Sequence, residues 1–232
     1  MKRKEHNEFI DYVLSHELDD VISMFNDMCF SEDDTDNILE ILYESISGDI
    51  DIEVFKFLHN AFCDIIDVSN IIEEYSDLFD AAVYANRIDI IEFLLKHDNF
   101  DKLYQVEYAY IFINAITHNN IEAVKLFLED GRINPAMSDN YPIRSATHDD
   151  LYDIIKLLME DERVDPSDFN NDALYTAVSH ESYDIVKLLM TDKRVLYKIN
   201  LNIIYCDVVY NEFKKITCCK SFEEVKYYLK LL

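Results

Sequence analysis

The chain has 232 residues, half of them hydrophobic, with only 2 Gly and a formal net charge of −26 from 21 Lys and Arg against 47 Asp and Glu. A field of that sign repels phosphate backbones and anionic lipid headgroups, whose binding requires clustered Lys and Arg, so nucleic acid and membrane surfaces are poor ligands for it. Five cysteines (Cys29, Cys63, Cys206, Cys218, Cys219) are odd in number and scattered, with no C-x-x-C pair, which argues against a disulfide framework and fits buried thiols in a reducing compartment.

In chain order, Met1 to His6 is charged and leads into no apolar run of signal-peptide length. No later stretch approaches the ~20 apolar residues of a membrane span. The expected location is therefore cytoplasmic, or a host cytoplasm if the source is a pathogen, with the nucleus also open. Tyr12 with Val21, and Ser45 with Val54, are weak copies of a pattern that Ala82 with Ile91 states more clearly. From Ala115 the pattern becomes strict, with a step of 31 residues from Ala115 to Ala146 to Ala177. The same step carries Val124 to Ile155 to Val186, Lys125 to Lys156 to Lys187, Leu126 to Leu157 to Leu188, and Arg132 to Arg163 to Arg194. A period of this length marks an array of small units, each burying its apolar face against its neighbours.

Within a unit, Leu174 to Ser179 predicts a first helix, and Tyr183 to Thr191 a second, amphipathic one through Ile185, Leu188 and Leu189. The tight turn between them needs a residue that tolerates positive φ. Asn86, Asn119 and Asp150 fall at that place, whereas Glu181 there predicts strain. A loop follows the second helix, as in Gly131-Arg132-Ile133-Asn134-Pro135 and Glu162-Arg163-Val164-Asp165-Pro166, and Ile133, Val164 and Val195 would pin its base. Asp172 is placed to cap the next first helix. Six units are expected, with a C-terminal cap in which Ser221 to Leu232 forms one amphipathic helix.

Helix, turn, helix and a sideways hydrophobic-Asn/Asp loop resemble the ankyrin repeat. Lys156-Leu157-Leu158-Met159, Arg163-Val164-Asp165-Pro166-Ser167 and Asn171-Asp172-Ala173-Leu174 are similar to the divergent ankyrin units of large amoeba-infecting DNA viruses. The family's Thr-Pro-Leu-His start is reduced here to Tyr141-Pro142-Ile143-Arg144 and Asp172-Ala173-Leu174-Tyr175. The resemblance implies an all-α ankyrin-type solenoid of six to seven repeats filling residues 1–232, with divergent repeats over 1–77, the clearest repeats over 78–195 and a capping repeat over 196–232. It also implies that the first helices line a concave side, and that a partner protein is held by this concave face and the loop tips.

No phosphate-cradling Gly-rich loop, H-E-x-x-H or paired C-x-x-C signature is present, so no catalytic site, cofactor, metal or small-molecule substrate is expected. His118 and His180 occupy equivalent positions and His148 stands one place off. Units spaced by the ~10 Å of packed helices would hold them too far apart to share an ion. Sixteen tyrosines against no Trp suggest recognition at Tyr84, Tyr141 and Tyr175 and packing at Tyr12, Tyr43 and Tyr183. The expected function is a non-enzymatic protein-binding module or adaptor. Its candidate contact residues are Met137, Asp139, Tyr141, Arg144, His148, Asp149, Asp168, Phe169, Tyr175 and His180, with apolar and aromatic anchors ringed by acids that select a basic partner surface. The alternative is an acidic decoy that mimics nucleic acid and sequesters a basic protein.

Overall fold

The computed structural model describes residues 3–31, 34–48, 50–65, 72–97, 105–199, 206–217 and 221. These residues form fourteen α-helices, and the chain divides into two compact units, Met1–Leu126 and Phe127–Leu232.

In the first unit, α1 (Arg3–Val13) and α2 (Leu18–Asp27), α3 (Thr35–Ser47) and α4 (Ile52–Cys63), and α5 (Ile72–Tyr84) and α6 (Ile88–Lys96) are consecutive helix pairs. They are followed by α7 (Gln105–Thr117) and α8 (Ile121–Asp130), the last of which runs into the second unit. First helices pack on first helices, α1 on α3 on α5 on α7, and second helices on second helices, α2 on α4 on α6. The second unit continues with α9 (Met137–His148) and α10 (Tyr152–Met159), α11 (Asp168–Ser179) and α12 (Tyr183–Leu189), then α13 (Lys193–Tyr197) and α14 (Asp207–Thr217). In it α9 packs on α11, α10 on α12, and α12 on α14. This is the expected all-α solenoid architecture, with six helix pairs where the sequence places six units.

The 31-residue register has a direct structural meaning. Ala82, Ala115, Ala146 and Ala177 have no exposed surface, and a methyl side chain at this place lets neighbouring first helices approach. Their carbonyls also close the turn: Arg87, Asn120, Leu151 and Ser182 donate their N–H groups to them at 2.8, 2.9, 2.9 and 2.9 Å. Between acceptor and donor sit Asn86, Asn119, Asp150 and Glu181, with φ of 55°, 53°, 59° and 59°. This is a Schellman closure, which satisfies carbonyls that the ending helix would leave orphaned and requires one left-handed residue. Glu181 adopts the expected strained conformation because the closure dictates the backbone whatever residue occupies the site.

Ile133, Val164 and Val195 are buried at the loop bases as expected. Where Leu196 and Tyr197 replace the Asp-Pro pair, the chain instead winds into α13, capped by the Asp192 carboxylate accepting from the Arg194 N–H at 2.7 Å. Without proline, nothing stops a helical turn there.

Several expectations need correction. One does not: the first helix is expected only from Leu174, and ahead of it the starts of α9 and α11 are not right-handed helix, since Ser138, Asp139 and Asn140, and again Phe169, Asn170 and Asn171, are three successive left-handed residues with φ between 48° and 64°. Right-handed helix therefore starts at Tyr141 and Asp172. Asp172 does not cap its own helix as supposed but faces Arg144 at 3.6 Å. Near the N-terminus the buried residues of α1 include His6, Phe9 and Val13, with Tyr12 half-exposed and stacked on His16 at 3.7 Å. The resemblance fades there because aromatic packing replaces the repeat's small residues: Phe25, Phe30 and Phe62 meet at ring separations of 5.1 to 5.5 Å. Cys29 is exposed rather than buried, Cys63 and Cys206 are half-buried, and all three are thiols outside any disulfide. The supposed Ser221 to Leu232 helix, beyond Ser221 itself, and Cys218-Cys219 lie outside the described residues. α14, which the sequence reading did not assign, lies within them.

Candidate functional site

All ten candidate contact residues belong to the second unit, on α9, α11 and the turns that lead into and out of them. Tyr141, Arg144 and His148 stand at i, i+3 and i+7, which brings them onto one helix face. Tyr175 occupies on α11 the place that Arg144 holds on α9.

The residues separate into two groups. At the start of the helices, the Arg144 guanidinium lies 4.5 Å from the Phe169 ring centroid and 5.7 Å from that of Tyr141, while Asp172 sits 3.6 Å from its Nε. Arg144 is four-fifths buried, and its Nε lacks a hydrogen-bond partner. Phe169 is 57% exposed and Tyr141 43%. The Asp168 carboxylate accepts from Asn140 at 3.0 Å and from the Phe169 N–H at 2.9 Å, bonds that hold it below the usual carboxylate range. Met137 is half-buried and Asp139 exposed. At the other end, His148 contacts Asp149 at 2.9 Å and meets the His180 ring edge-on at 5.5 Å. That separation is shorter than the ~10 Å helix spacing on which the sequence reading kept the histidines apart. Tyr175 is half-buried between the two groups.

The acids do not act alike. Asp168 and Asp149 are engaged within the protein, Asp168 by Asn140 and Asp149 by His148, which leaves Asp139 as the exposed acid of the loop tip. Outside the candidate group, Tyr84 is 80% exposed, as a recognition residue should be, and pairs edge-on with His118. Tyr183 reverses its assignment. It is 41% exposed and, with Tyr152, Asp184 and Leu188, lines an open groove of about 710 Å³ rather than packing in the core.

The left-handed triplet explains how Phe169 is presented. Asn140 ends the first triplet, buried, and joins successive loops by donating to Asp168 and accepting from the Asp165 N–H at 2.8 Å. Asn171, at the same place one repeat on, donates to the Val195 carbonyl at 3.0 Å, but its Oδ1 has no partner. The reason is local: the Leu196 N–H, equivalent to that of Asp165, already bonds Asp192 inside the α13 turn.

A family model described as ankyrin repeats, in three copies, matches residues 112–203. Over these residues the chain is similar to ankyrin repeats. No curated protein and no solved structure gives a significant match to the chain. Within the ankyrin segment, sequence reasoning missed an Asp-x-Arg fork that recurs with the register. Asp130, Asp161 and Asp192 bind the guanidinium of Arg132, Arg163 and Arg194 two residues on, with closest contacts of 2.6, 2.7 and 2.7 Å. The signal was visible as three aspartates at the 31-residue step, but a pair two residues apart in a loop has no rule of spacing to draw attention to it. Ankyrin repeats are non-catalytic binding modules in general, and no helix of the described residues is long and apolar enough to cross a membrane.

Proposed function

We propose that the chain binds a protein partner through the loop-tip face formed by Met137, Asp139, Tyr141, Arg144, Phe169 and Tyr175, with His148 and His180 extending it. The observation that carries this reading is Phe169. A bulky aromatic residue in the left-handed region is costly, and leaving most of its ring in water adds to that cost. Its φ is 48° and its exposure 57%, and Arg144 fixes the ring from one side. Strain held in place at an exposed aromatic ring suits an anchor presented for burial in a partner pocket, with Asp139 selecting Lys or Arg nearby. An adaptor acting in a cytoplasm, including a host cytoplasm as the likeness to viral ankyrin units implies, is the setting that fits.

The test is affinity capture with the wild-type chain and with the double variant Tyr141→Ala, Phe169→Ala, followed by affinity measurement on the recovered partner at two salt concentrations. Anchored recognition predicts at least a ~30-fold loss in the variant, the size of a hot-spot residue. The charge of −26 favours the second reading, an acidic decoy for a basic protein. That reading predicts an unchanged variant and affinity falling steeply with salt.

A further inference from the structure

His59, Cys63 and His97 converge in the first unit. His59 and Cys63 lie one helical turn apart on α4, so their side chains share a face, and His97 ends α6, which packs against α4. One ligand atom from each residue can be chosen so that all three lie within 4.8 Å of one another. The Cys63 Sγ is 3.8 Å from the His59 ring nitrogens, and the two imidazoles meet edge-on at 4.6 Å. Tetrahedral zinc with Zn–S of ~2.3 Å and Zn–N of ~2.0 Å sets its sulfur and nitrogen ligands about 3.6 Å apart, so a small inward movement of side chains suffices.

We infer that His59, Cys63 and His97 form a binding site for a borderline-soft transition ion of the zinc class, clamping α4 to α6. Among the described residues the donor set is two imidazoles and one thiol with no carboxylate, which selects zinc-like ions over calcium or magnesium. The surroundings suit such a site. Phe93 packs edge-on against His59 at 5.1 Å and lies 5.9 Å from His97, and Phe55 lies 5.9 Å from His59, forming an apolar wall that excludes bulk water from one side. His59 is 1% exposed while Cys63 and His97 are half-exposed, which gives the ion an access path and leaves a fourth position for water. Burial, with His97 beside it, pushes His59 down to about 4, so its ring is a neutral ligand at physiological pH. Zinc would join the second helices of two consecutive helix pairs and fix their packing. The site is separate from the proposed partner face and does not depend on it.

The reduced full-length chain is titrated with Co²⁺ and then Zn²⁺, alongside Cys63→Ser and His97→Gln, with circular dichroism to verify that both variants fold. The expected result is one ion per chain, a near-ultraviolet thiolate-to-cobalt charge-transfer band that Cys63→Ser abolishes, and zinc affinity weakened ~100-fold or more by His97→Gln. Zinc should raise the melting temperature of the wild type alone. Absence of the cobalt band in the wild-type chain would overturn the site. So would a band that survives in Cys63→Ser, since the thiolate would then come from another cysteine, or wild-type zinc affinity in His97→Gln.

Discussion

Arg163 donates to the Ile133 carbonyl of the preceding loop at 3.1 Å while its other guanidinium edge is forked onto Asp161 at 2.7 Å. The same side chain reaches the Gly131 and Leu128 carbonyls at 3.4 and 3.5 Å. One residue thus orders its own loop through Asp161 and satisfies carbonyls at the end of α8. Elsewhere the same work is done by other means. Lys198 donates to the Ser167 carbonyl at 3.0 Å, and in the first unit Arg87 and Asn120 donate to the Ile50 and Val83 carbonyls at 2.9 and 3.0 Å.

Arg163→Ala should therefore destabilise the second unit by about 1–2 kcal/mol, the size of a few charge-assisted hydrogen bonds at a half-exposed site. Arg163→Lys should recover little of this, because an ammonium cannot hold the carboxylate fork and the carbonyls together. Urea denaturation of both variants, with hydrogen exchange to locate the loss near residues 128–133, is the check.

The forks also set an acid limit. The Arg163 and Arg194 guanidinium groups hold Asp161 and Asp192 below their usual 3.8. A carboxylate depressed in the folded state contributes stability above its unfolded value and loses it as pH falls through the folded one. Denaturation midpoints should be flat in this respect from neutrality to about pH 4 and then fall. Because the arginines are exposed, each fork contributes less than about 1 kcal/mol. The double variant Asp161→Asn, Asp192→Asn should be less stable at pH 7 and show a shallower acid slope; an unchanged slope would reject the assignment.

Asp80 should behave oppositely. Burial raises it above 3.8, outweighing bonds to Asn114 and Tyr110, and its Oδ1 lacks a hydrogen-bond partner. Its ionised form is disfavoured in the folded chain, so stability is lost as pH rises through the folded value. Asp80→Asn should stabilise at pH 7 by up to about 0.5 kcal/mol, a small figure because the group is only half-buried, with the difference vanishing in acid. Thermal melts at pH 7 and pH 3 would measure it.

Glu181→Asn should raise stability by about 0.5–1 kcal/mol, since Asn tolerates the left-handed conformation that the turn imposes at φ 59°. Asn86 and Asn119 already occupy equivalent turns at φ 55° and 53°. A loss of stability in a denaturant titration would mean that the Glu181 side chain makes a contribution that outweighs its backbone cost.

Phe169→Asn separates stability from binding. Relief of the left-handed strain at φ 48° should offset the lost Arg144 contact, leaving stability within about 0.5 kcal/mol of the wild type. Partner affinity should nevertheless fall at least tenfold. A variant destabilised by several kcal/mol would reassign Phe169 to packing.

The repeat itself was legible along the chain because it rests on local rules. A small residue must sit where helices approach, and a residue tolerant of positive φ must end the first helix, so Ala146 with Asp150 and Ala177 with Glu181 repeat in step. The ankyrin segment followed from that register. The left-handed triplets at 138–140 and 169–171 could not be read from residue types, since Phe169 is a poor resident of that conformation and is held there by Asn140, Asp168 and Arg144. Likewise His59, Cys63 and His97 carry no spacing signature, because His97 reaches the other two only when α6 packs on α4. Sequence by itself determined the paired helices of the clear repeats and the turns between them, which are set within about one repeat. Tertiary packing decided which side chains from different repeats meet, because those contacts depend on the angle and offset of neighbouring helices, which no single repeat contains.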